Sequence, residues 1–126
     1  MEYQKFVNDV ENLGFIKDPD TADAAIKAVL GILASSMEEP QARKLTEKLP
    51  EPLTYDRLVG HQARLLDISI DEYVAEIGTQ FGLNDDEARE LVDTIFHNTK
   101  KAVGEDTLTE LEYDMPSEIA EEFENA

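Results

Sequence analysis

His61 and His97 are the only imidazoles in this chain, and no cysteine accompanies them. A zinc site without thiolates needs histidines and carboxylates brought together. His61 and His97 stand 36 residues apart, and no His-x-x-His or His-x-x-x-His pair occurs, so no metal ligand set is expected. The cluster "DPDTAD" (Asp18, Asp20, Asp23) raises the question of calcium. An EF-hand loop needs a further acid two residues after Asp20, then a glycine, and a glutamate at its twelfth position; those positions hold Ala22, Asp23 and Val29. The aspartates fit a helix amino terminus better, where negative charge meets the positive end of the dipole. Ser35 and Ser36 have no histidine near them in sequence. There is no Gly-x-Ser-x-Gly, no phosphate-cradling glycine loop and no dinucleotide fingerprint. The expectation is therefore a protein with no catalytic residue and no cofactor.

Charge says more. Acidic residues number 29 against 11 basic ones, a formal net charge of -18. Nucleic-acid binding ordinarily rests on a basic footprint that displaces counterions, so it is not expected here. The same charge repels anionic lipid, and no segment approaches the roughly 20 apolar residues of a membrane span. With no cysteines and no cationic, apolar leader, a soluble cytoplasmic protein is expected. The acidity favours solubility, a salty interior or a basic protein partner. Arg57, His61 and Arg64 interrupt it. Spaced three and four apart, they share a face of any helix that runs through them. They either fasten acidic residues of the other half of the chain or form a basic patch for an acidic or phosphorylated partner.

What positions these residues is a repeat. At an offset of 66, Ala22, Ala25, Ile26, Val29 and Leu30 coincide with Ala88, Leu91, Val92, Ile95 and Phe96. Met37, Ala42, Leu45, Leu49 and Leu53 coincide with Val103, Leu108, Leu111, Met115 and Ile119. Upstream, Phe6, Val7 and Val10 match Tyr73, Val74 and Ile77 at offset 67, and Gly14 matches Gly82 at 68. The slip has a simple origin: five residues separate Phe15 from Thr21, but three separate Leu83 from Glu87. The positions between these pairs hardly agree, so packing is shared while surface is not.

Each copy reads as four helices. Tyr3, Phe6, Val10 and Leu13 recur at helical spacing, as do Ile70, Tyr73, Ile77 and Phe81. Gly14 and Gly82 end those helices, because glycine accepts the left-handed conformation. Ser69 with Glu72, Asn84 with Glu87, and Thr107 with Glu110 each fit a capping box. Asp18, Pro19 and Asp20 serve the equivalent end in the first copy. Pro50 and Pro116 cannot continue a helix, so each separates a short third helix from a fourth that it opens.

The doubled unit, the glycine turn after an aromatic-bearing helix, "AIKAVLGIL" and the "L...LP..L" close together resemble the bacterial family catalogued as domain of unknown function 2267. The link "SSMEEPQ" is polar with a proline where that pattern carries a glycine-bearing turn. The resemblance implies an all-helical tandem-repeat fold and brings no activity, cofactor or catalytic residue. The expected fold is all-α: a bundle of about eight helices from two tandem pseudo-symmetric four-helix repeats, a single domain over 1–126. Repeat A covers about 1–59 and repeat B about 68–126, joined by about 60–67. The expected role is a non-catalytic protein-interaction or regulatory module. The alternative is a small-ligand or metal-ion binding protein that uses the groove between the repeats.

Overall fold

Helices form wherever the apolar spacing places them. The computed structural model describes residues 2–59 and 68–126, and among these there are eight α-helices and no strand. In the first half they are α1 (Tyr3–Glu11), α2 (Pro19–Ser35), α3 (Glu39–Glu47) and α4 (Tyr55–Val59). In the second half they are α5 (Ile70–Phe81), α6 (Asp85–Val103), α7 (Glu105–Glu112) and α8 (Ser117–Asn125). None of them is long and apolar enough to cross a membrane.

The two long helices form the centre. α2 packs on α1, α4, α5 and α6, while α6 packs on α1, α5, α7 and α8. Away from the centre, α3 packs on α7. Every apolar position that coincides between the halves is buried except Leu108, which is half-buried. Around Phe96 an aromatic chain closes the second half. Its ring meets Tyr73 edge-on, with centroids 5.7 Å apart, and Phe123 at 4.7 Å. Such pairs add about 0.5–1.5 kcal/mol each beyond the area they bury, which makes Phe123 the anchor of α8. The Tyr73 hydroxyl donates to the Val29 carbonyl and so ties α5 to α2.

The start signals divide. Ser69 and Asn84 form complete capping boxes with Glu72 and Glu87. Asp18 accepts from the Thr21 amide at 2.8 Å and its hydroxyl at 2.9 Å, with Pro19 in the first turn. Thr107 does not open a helix. The cap of α7 is instead Gly104, three residues earlier, and Glu110 turns away to accept from Lys44 Nζ at 2.8 Å. With its carboxylate committed to α3, it does not reach back to a cap.

Gly14 and Gly82 hold φ of +90° and +65°, the latter directly capping α5. Pro116 stands immediately before α8, and its carbonyl accepts from Ala120. Pro50 ends the turn after α3 but does not open α4. The Pro50 carbonyl accepts from Leu53 and the Pro52 carbonyl from Thr54, both at 2.9 Å. These turns delay α4 to Tyr55. Leu45, Leu49 and Leu53 nonetheless all reach the core, as do Leu111, Met115 and Ile119.

Candidate functional site

α6 presents two different faces. Leu91, Ile95 and Phe96 point into the core, while Asp86, Arg89, Glu90, Asp93 and His97 recur at three- and four-residue steps on the other side. α1 lies against α6. Between them runs an open groove of about 570 Å³, walled by that face, by Asp9 of α1, by Asn12 and Leu13 just after it, and by Ala126. Four carboxylates line it (Asp9, Asp86, Glu90 and Asp93), with Arg89 and His97 among them.

Asp9 is locked in place. Its carboxylate accepts from Asn98 Nδ2 at 2.9 Å and from Lys5 Nζ at 3.0 Å. Burial pushes its pKa upward, but those two hydrogen bonds and the charges of Lys5 and Lys101 outweigh it and hold the group below the ordinary carboxylate range. Asn98 is 1% exposed, so the bond joins the buried side of α6 to α1 at the edge of the groove. Its Oδ1 has no hydrogen-bond partner.

Asp93 behaves in the opposite way. Burial, then a hydrogen bond shared with the Glu122 carboxyl, then repulsion by Glu122 raise its pKa to about 7, against the pull of Arg89. Arg89 Nη2 lies 3.4 Å from Glu122 Oε1, so α6 and α8 meet through one guanidinium and two acids. Asp93 Oδ1 is buried with no donor beside it. Two carboxyls in mutual contact cannot both be ionised cheaply, so one proton between them is the low-energy state. His97 Nδ1 lies 3.1 Å from the Ala126 backbone oxygen. That oxygen only accepts, so Nδ1 carries a proton.

Arg57, singled out in the sequence, lies exposed on α4. Its charge acts on Asp23 of α2, within the same half. His61 and Arg64 lie outside the described residues. Asp23 accepts from the Tyr3 hydroxyl and from Lys27 Nζ at 2.9 Å. Burial opposes ionisation there, but these partners and the Arg57 charge keep its pKa low. Among the described residues, no three His, Asp or Glu side chains converge as a metal site.

His97 apart, the polar groove residues were not singled out in the sequence, where acids at helical spacing merged with the solvated faces of an acidic chain. One signal was present: Asn98 stands on the stripe of Leu91 and Ile95, where an amide needs a buried partner.

Among the described residues, no hydrogen bond in the groove pairs a nucleophile with a base. Chemically it can attract a cationic group and hold it against carboxylates. No curated protein and no solved structure matches the chain. Residues 3–122 match the family described as an uncharacterized conserved protein, DUF2267, and the chain belongs to that family.

Proposed function

We propose that this protein is a non-catalytic interaction module, and that the groove between α1 and α6 receives a cationic side chain of a basic protein partner. The observation that carries the reading is the lining: four acidic side chains around one guanidinium, on a molecule of net charge -18. The attraction is long-ranged at low salt and fades beyond a Debye length of about 8 Å at physiological ionic strength. It therefore favours rapid, salt-sensitive capture. We place this activity in the cytoplasm.

We also read the chain as one domain of two copies, 1–59 and 68–126. Contacts between the halves support this. α1 crosses to α6 as α5 crosses to α2, and Lys44 meets Glu110, its own counterpart 66 residues on. Around a two-fold axis, equivalent residues meet in this way. The groove then lies where the first helix of one copy meets the second helix of the other.

The test is binding of a Lys- and Arg-rich peptide at low and moderate salt. Asp86 and Glu90 are exposed, so Asp86→Asn with Glu90→Gln leaves the fold intact. Together these changes weaken binding roughly tenfold at low salt, since each exposed pair contributes about 0–1 kcal/mol. Unchanged affinity in the double variant refutes the reading. A second reading, a small cationic ligand, draws on the groove's volume, which lies within the range of roughly 300–1,000 Å³ for ligand sites. Saturable binding of a small polyamine that excludes the peptide would favour it.

A further inference from the structure

We propose that Asp93 and Glu122 form a one-proton latch that fastens the end of α8 to α6 and loosens as the pH rises towards neutrality. The inference goes beyond the partner reading and does not depend on it. Its geometric basis is the packing of α8 on α6, which sets Glu122 3.4 Å from Nη2 of Arg89, the residue one helical turn before Asp93. Asp93 Oδ1 is buried without a donor. An ionised oxygen in that position loses its water and gains nothing in return, whereas a protonated carboxyl both avoids the charge and supplies the shared hydrogen. Arg89 balances one negative charge, not two.

The surroundings set the response. On α6 itself, Arg89, Asp86, Glu90 and His97 line the same groove, and from α1 only Asp9 does, already held ionised by Asn98 and Lys5. α8 contributes Glu122. Lys100 bonds the Glu124 carbonyl near its end. From α7, Glu112 is raised by burial and by Glu124, with Lys100 opposing. From α5, Asp71 stands by Arg89 in an adjoining hollow. No residue of α2, α5 or α7 lines the groove itself.

Asp93 holds its proton up to about pH 7 when closed; once opened to water it reverts to an ordinary carboxylate near pH 4. Opening therefore releases a proton across that window, and the closed state loses its advantage as the pH rises through it. Above about 7 both states are ionised and the dependence levels off. Phe123 stays packed on Phe96, so the loosening belongs to the polar edge of α8, beside the groove mouth at Ala126.

The test is amide hydrogen exchange along Ile119–Asn125, corrected for the base-catalysed intrinsic rate, with α2 amides as the internal reference. Between about pH 6 and about pH 8 the opening constant of α8 in the wild-type protein rises roughly tenfold relative to α2. Asp93→Asn keeps a neutral hydrogen-bonding group in place and makes α8 opening independent of pH over that range, while Glu122→Gln removes the repulsion but not the burial and makes the slope shallower. A carbon-13 titration of the Asp93 carboxyl gives a midpoint near 7. A flat wild-type profile, an unchanged slope in both variants, or an Asp93 midpoint in the ordinary carboxylate range overturns the latch.

Discussion

Asn98 and Asp9 are 89 residues apart in sequence and 2.9 Å apart in the fold, and their bond shows how a single amide can govern a carboxylate. Replacing the amide leaves Asp9 with Lys5 alone and opens a small void beside Thr99. A hydrogen bond to a charged group is worth about 1.5–3 kcal/mol. Asp9 still reaches solvent, with its side chain 24% exposed, so Asn98→Ala is expected to cost about 1–2 kcal/mol at neutral pH. The sign of its pH dependence follows from the depressed pKa of Asp9. That stabilisation is present above the ordinary carboxylate range and is lost as the pH falls through the folded-state value. The deficit of the variant, followed by urea melts, therefore narrows towards acid pH. Pairings of this kind could not be read from spacing, since nothing local joins residues 9 and 98. The burial of Asn98 could, because residues 91, 95 and 98 share one helical face. Tyr73 is similar. Its place in the core was evident from the match with Phe6, but only the fold shows that its hydroxyl, which Phe6 lacks, bonds the Val29 carbonyl.

Helix ends were legible where their interactions are local. Ser69 with Glu72 and Asn84 with Glu87 satisfy orphan amides within one turn, and both boxes form. Thr107 with Glu110 fits the same template and fails, because Gly104 at φ +82° joins α6 to α7 in a single residue. Its amide donates to the Lys100 carbonyl and its carbonyl accepts from Leu108, both at 3.0 Å. A long-range partner, Lys44, then takes Glu110. Gly82 permits a sharper experiment than Gly104. It caps α5 at φ +65°, and a Cβ added there meets nothing within 4 Å. Gly82→Ala therefore measures left-handed strain without a steric clash. It is expected to cost about 1 kcal/mol, read as a lowered urea midpoint with an unchanged slope. A loss above about 3 kcal/mol would mean that the α5–α6 corner has repacked.

At the scale of the whole molecule, attraction between named pairs competes with repulsion spread over the surface. The ion pairs Lys5–Asp9, Lys27–Asp23, Arg43–Glu39, Lys44–Glu110 and Arg89–Glu122 all reach solvent. Exposed pairs contribute about 0–1 kcal/mol each, and added salt weakens them. Against them stand 29 acidic residues with 11 basic ones to offset them, and this repulsion acts over many pairs at longer range. Screening removes long-range terms first: the Debye length falls from about 30 Å at 0.01 M to about 3 Å at 1 M. Contact pairs at roughly 3 Å lose less. The repulsive sum therefore loses more than the attractive one, and the melting temperature is expected to rise as monovalent salt goes from about 0.01 M to about 1 M. The salt should be chloride, since sulfate strengthens apolar burial by itself and would give a rise for another reason. A melting temperature that stays flat or falls in chloride would mean that ion pairs such as these outweigh the net charge. The long-range field on which capture of a basic partner depends would then be too weak to steer it.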